Sequence, residues 1–131
     1  MVTQLTTSFK VEIIEVLKDG FIGKNVDWKG ELRIQDKSLQ KNNFFNKDQL
    51  TVTIDVIEED DVKEDKNGKE FCVAVNEFSG NGFYTKAVKE YENRLKRVFW
   101  FEERGMIMFP NDEWDDFEMN DIIRVSIKKG R

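Results

Sequence analysis

The sequence predicts a β-rich α+β fold, with about seven mostly antiparallel strands in a half-open sheet or small barrel and one helix packed against it. Three observations carry this. Apolar residues recur mainly at every second position, the period of a strand. A single segment switches to the three-and-four spacing of a helix. Aromatic residues make up 12% of the chain, eleven of them Phe, enough to build the core of a single domain over residues 1–131.

Residues 9–16 form the first strand, closed by a turn at Lys18-Asp19-Gly20. Residues 28–34 form the second, with Trp28, Leu32 and Ile34 on one face. Residues 35–48 show no period, and Phe44-Phe45 are expected to tuck this stretch onto the core. The alternation is cleanest at 50–56, where Leu50, Val52, Ile54 and Val56 share one face. Residues 70–78 follow, with Phe71, Val73 and Val75 together. Asn67-Gly68 carries the strongest turn signal, because both residues tolerate the positive φ of a type I′ hairpin. Closing a hairpin there sets Val62 opposite Val73. It would also set Glu58 against Glu77, a like-charge pair, so a bulge or change of direction is expected at 58–61.

The helix is predicted over 83–97, where Tyr84, Ala87, Val88, Tyr91 and Leu95 fall on one face. The loop Ser79-Gly80-Asn81-Gly82 supplies its N-cap, and Lys96 and Arg97 suit its negative pole. Residues 98–103 and 106–109 then read as a hairpin turning at Arg104-Gly105. A loop over 111–121 leads to a last strand, 122–128, with Ile123, Val125 and Ile127 inward.

Composition narrows the chemistry. The chain has no histidine, which removes Ser-His-Asp and Cys-His catalysis. With Cys72 as its one cysteine, neither an internal disulfide nor a zinc site is expected. Cys72 reads as a small buried side chain. No apolar run reaches the roughly 18 residues of a membrane helix, and the first residues lack the basic and apolar regions of a signal peptide. The expectation is therefore a cytoplasmic protein with no membrane partner and no cofactor.

Charge is unevenly placed. Residues 55–65 hold seven acids and one base, Lys63, and residues 111–121 hold six acids and no base. The net charge is −5, so the rest of the chain carries +7. Two acidic segments on a mildly basic body suggest docking on a protein with a basic surface. The candidate contacts are Asp60, Asp61, Asp112, Glu113, Trp114, Asp115, Asp116 and Glu118, with Trp114 as an aromatic anchor. The competing reading makes these solvated loops, with Trp114 and Phe117 closing the core. Neither segment has the glycine and glutamate register of a calcium-binding EF-hand loop, so no metal site is assigned.

A second candidate lies at 94–101, where bases alternate with aromatics. Arg94, Arg97 and Trp100 could hold single-stranded nucleic acid on a barrel face, by stacking beside a positive groove. Against it, Val98, Phe99, Trp100 and Phe101 make the strand apolar on both faces, as in a central buried strand. A third alternative is an enzyme with a carboxylate Mg²⁺ site at Asp112, Asp115 or Asp116. No catalytic residues are assigned. The leading expectation is a non-enzymatic macromolecular binding protein, an accessory or inhibitor of the kind a phage or mobile element encodes. Its oligomeric state is not encoded in any of these patterns.

Overall fold

In the computed structural model, residues 6–39, 44–58, 70–89 and 98–130 are described; for 87–89 and 98–104 the description covers the backbone course alone. Eight strands follow one another: β1 (Thr6–Leu17), β2 (Gly20–Lys24), β3 (Leu32–Asp36), β4 (Gln49–Ile57), β5 (Glu70–Ser79), β6 (Gly82–Lys89), β7 (Val98–Met108) and β8 (Ile122–Lys129). They close into an antiparallel barrel in the order β1-β2-β3-β7-β6-β5-β8-β4, with β4 returning to β1. Short 3-10 turns at Lys37–Leu39 and Asp112–Asp116 are the only helical elements among the described residues.

The long first strand makes closure possible. Its first half, Thr6 to Glu12, pairs with β4, and its second half, Glu12 to Leu17, pairs with β2. The register slips between Ile13 and Glu15 where the strand changes partner. Such a bulge adds twist and bends the strand around the barrel. Alternation then fills the interior. Phe9, Val11 and Ile13 of β1, Val52 and Ile54 of β4, and Val125 and Ile127 of β8 are all buried, while the residues between them face outward.

Close backbone approach explains two glycines. A Cβ on Gly105 would fall on the carbonyl oxygen of Gln35, and one on Gly82 would fall on that of Ile107. Both positions lie in the strand ladder, where β3, β7 and β6 come together. Arg104-Gly105 is thus not the turn that the sequence suggested. β7 runs unbroken through it, and the glycine admits the neighbouring strand.

The predicted helix is the main correction. Residues 82–89 are strand β6, paired with β5 on one side and β7 on the other; 90–97 lie outside the described residues. The expected Val62–Val73 rung is also overturned. Val73 already has Ala87 on one side and Ile123 on the other, so no third strand can pair with it. Asn67-Gly68 lies outside the described residues. In the aperiodic stretch, Phe44 is buried against Phe21, with ring centroids 5.0 Å apart, whereas Phe45 is exposed. Cys72 is buried beside Ile57 and Ile122 in a small second cluster. No helix of the described residues is long and apolar enough to cross a membrane.

The antiparallel order fixes what lies at each end of the barrel. One end gathers the start of β1, the β2–β3 loop, the end of β4, the β5–β6 turn and the β7–β8 connection. The other gathers the β1–β2 turn, residues 37–39 and 44–48 between β3 and β4, the start of β5, the end of β6, the start of β7 and the end of β8.

Candidate functional site: an acidic barrel end

The β7–β8 connection covers the first of these ends. Its 3-10 turn begins at Asn111, whose side-chain oxygen accepts from the Glu113 amide at 3.0 Å. A 3-10 turn repeats every three residues, so side chains three apart fall on one side. Trp114 and Phe117 have that spacing, and both face the barrel. The Trp114 ring centroid lies 5.8 Å from that of Phe78, and Phe117 lies 5.5 Å from both Phe83 and Phe109. Phe9 and Trp28 extend this set of rings across the barrel end, Phe9 meeting Phe109 at 5.9 Å and Trp28 at 5.5 Å. Ring pairs in these tilted and edge-on geometries contribute beyond the area they bury.

With the aromatics turned inward, the carboxylates face out. Asp112, Asp115, Asp116 and Glu118 are exposed and Glu113 is half-buried. None of the five is held in an ion pair among the described residues. The backbone beneath them is pinned. The Asn120 amide donates to the Val75 carbonyl, and the Val75 amide to the Asp121 carbonyl, each at 2.9 Å. Asn120 sits at φ 69°, a left-handed conformation that asparagine tolerates better than most residues. Its side-chain oxygen accepts from Lys86 Nζ at 2.7 Å. The Glu118 amide is capped by the Asp121 carboxylate at 2.9 Å. One polar atom lacks such support: Trp114 Nε1 is buried with no hydrogen-bond partner among the described residues.

Topology brings Glu58, the last described acid of the first acidic segment, to the end that carries the second segment. The last rung between β4 and β8 is Ile57 with Ile122, so Glu58 and Asp121 each stand one residue beyond it. The β2–β3 loop adds Asp27 and Glu31, and Gly30 packs so closely on Pro110 that a Cβ there would lie 2.5 Å from the Pro110 oxygen. Counted over the described connections at this end, nine carboxylates face a single base, Lys29. The arrangement can attract and orient a cationic surface. Among the described residues no group of three or more Cys, Asp or Glu side chains converges as an ion would require.

The other predicted residues fall elsewhere. Asp60, Asp61, Arg94 and Arg97 lie outside the described residues. Trp100 is in β7, and its side chain is not among those described. Trp114 lies against the core as a half-buried support for the carboxylates. Two residues at this end were not signalled by the sequence, Val26 and Met119, both large apolar side chains exposed beside the acids. Their neighbours, Asp27 and Glu118, are the only hint that composition offered. No family model matches the chain, and neither a curated protein nor a solved structure matches it.

Proposed function

We propose that the chain is a non-enzymatic docking protein whose acidic barrel end binds a protein with a basic surface. The observation that carries this reading is the outward array of Asp112, Glu113, Asp115, Asp116 and Glu118 on a turn held from below by Trp114 and Phe117. Charges on a fixed backbone lose little freedom when a partner arrives, so more of their attraction is realised as affinity. Charge complementarity also steers encounter, lifting association rates from about 10⁵–10⁶ M⁻¹s⁻¹ to as much as about 10⁸–10⁹ M⁻¹s⁻¹ at low salt. In this reading the carboxylates make the contact and Trp114 keeps them in place.

The test is affinity capture from a lysate at low and then moderate salt, with the wild-type chain and with Asp115→Lys/Asp116→Lys. A basic protein that releases as salt rises and is not captured by the charge-reversed chain supports the reading. Equal capture by both chains would show that the acidic end is not the docking surface.

A further inference from the structure

Two polar side chains lie inside the wall formed by β3, β7 and β6. Asp36 is 0% exposed and Thr85 1%. Both belong to the inner faces of their strands. Leu32, Ile34 and Asp36 are the buried positions of β3, alternating with half-buried Arg33 and Gln35. In β6, Phe83 and Thr85 are buried on either side of half-buried Tyr84, and the Phe83 ring lies against Phe109 and Phe117 inside the barrel.

Strand pairing sets the two in one row. Gly105 of β7 is the direct partner of Asp36 on one side and of Thr85 on the other. Directly opposed residues share a face of the sheet. Gly105 also stands two residues before Ile107, which is buried in the core. The inner row therefore reads carboxylate, glycine, hydroxyl, and Gly105 places no side chain between the other two.

The two polar groups are satisfied unequally. The Asp36 carboxylate accepts from the Ser38 amide at 2.9 Å and from the Ser38 hydroxyl, which caps the turn at Lys37–Leu39. Thr85 Oγ1 has no hydrogen-bond partner among the described residues. A buried hydroxyl left so is costly. Trp114 Nε1 shares that condition, but its ring is only half-buried at the barrel end, whereas Thr85 lies in the wall and does not reach bulk water. Beside Thr85 the β6–β7 register slips, between Thr85 and Lys86. A bulge leaves its extra residue outside the ladder, which adds backbone polar groups to the same lining.

We infer that one water molecule is bound inside the barrel as part of its wall, donating to the Asp36 carboxylate and accepting from the Thr85 hydroxyl over Gly105. Neighbouring strands lie about 4.8 Å apart, so the backbones of Asp36 and Thr85 stand about 10 Å apart. Side chains reaching inward from a curved wall converge, and a water bridges oxygens about 5–6 Å apart through two hydrogen bonds. The site asks for a donor toward the carboxylate and an acceptor toward the hydroxyl, and water supplies both. Ile34, Ile107, Phe83 and Val75 beside the row are buried and apolar, so a larger polar guest would turn unpaired groups toward them. The water links β3 to β6 across the strand whose glycine has no side chain to do so.

Thr85→Val tests this, because it keeps the shape of the side chain and removes the hydroxyl. If the hydroxyl has no partner, its removal relieves a buried polar group and leaves Tm equal or higher; if it holds a water, Tm falls. The second readout is magnetic relaxation dispersion of the water signal, which counts waters held inside the folded chain. Other internal waters contribute equally to both proteins, so the difference isolates this one. The expected result is a lower Tm for Thr85→Val together with the loss of one long-lived water, and retention of that water in Thr85→Ser. A Thr85→Val chain at least as stable as wild type overturns the inference, and so does an unchanged count of internal waters. A wild-type Tm that rises in ammonium chloride over sodium chloride at equal ionic strength, with no rise in Thr85→Val, also overturns it, in favour of a cation at the same place.

Discussion

Phe117→Ala separates the two jobs assigned to the acidic connection. Phe117 is 3% exposed and its ring meets Phe83 and Phe109 at 5.5 Å each. Truncating a buried Phe removes its transfer energy and leaves a cavity, together about 3–5 kcal/mol. The expected loss is about 4 kcal/mol, because the ring closes a barrel end where neighbouring rings can follow it only partly. Unfolding entropy of about 2.1 cal/mol/K per residue over 131 residues gives a fall in Tm of about 14 °C. The assay is urea and thermal unfolding followed by circular dichroism, set beside Asp115→Asn/Asp116→Asn. That second variant removes only exposed charge and should change stability by less than about 0.5 kcal/mol. A loss below about 1 kcal/mol for Phe117→Ala, or an equal loss on neutralising the two acids, would refute the division into buried support and solvated contact.

Other variants test the barrel. Gly105→Ala should cost about 1–3 kcal/mol in urea unfolding, since its Cβ meets the Gln35 backbone and forces β3 from β7. Asn120→Ala should cost about 2 kcal/mol through backbone strain and loss of the acceptor facing Lys86, whereas Asn120→Asp keeps both the conformation and an acceptor and should cost clearly less by the same measurement. Arg124 lies 3.2 Å from Glu70 and 3.7 Å from Asp55, all three partly exposed, so Arg124→Ala should lose no more than about 1 kcal/mol, and less at high salt.

The strands that were legible in the sequence have one face in the barrel and one in solvent. Leu50, Val52 and Ile54 in β4, and Ile123, Val125 and Ile127 in β8, declare themselves by strict alternation. β6 did not, for a physical reason. Its register slips between Thr85 and Lys86 and again between Lys86 and Val88. The extra residues at these slips lie in β7, while β6 itself buries Phe83, Thr85 and Lys86 with only Tyr84 partly open between them, so strict alternation is lost and the apolar spacing admits a helix. β2 escaped notice because it is five residues long with glycine at two of them, and its burial comes from its neighbours. At the acidic end, composition located the carboxylates but not the direction of Trp114. The three-residue step to Phe117 held that information, and only a 3-10 turn makes it readable. That Glu58 and Asp121 share an end depends on the β4–β8 pairing, which no local pattern encodes.

β8 has a consequence for how the chain is made. It fits between β4 and β5, pairing with Leu50 to Ile57 on one side and Glu70 to Ala74 on the other. It is also synthesised after both of them. Until β8 emerges from the ribosome, β4 and β5 each present an unpaired row of amides and carbonyls, the kind of edge that invites pairing with another chain. β3 likewise waits for β7, with Arg33 meeting Met108 across most of the sequence. Contacts so far apart in the chain form slowly. The ring is therefore most vulnerable to misassembly while it is being translated, and the closing strand acts as a latch that ends this exposure in one step.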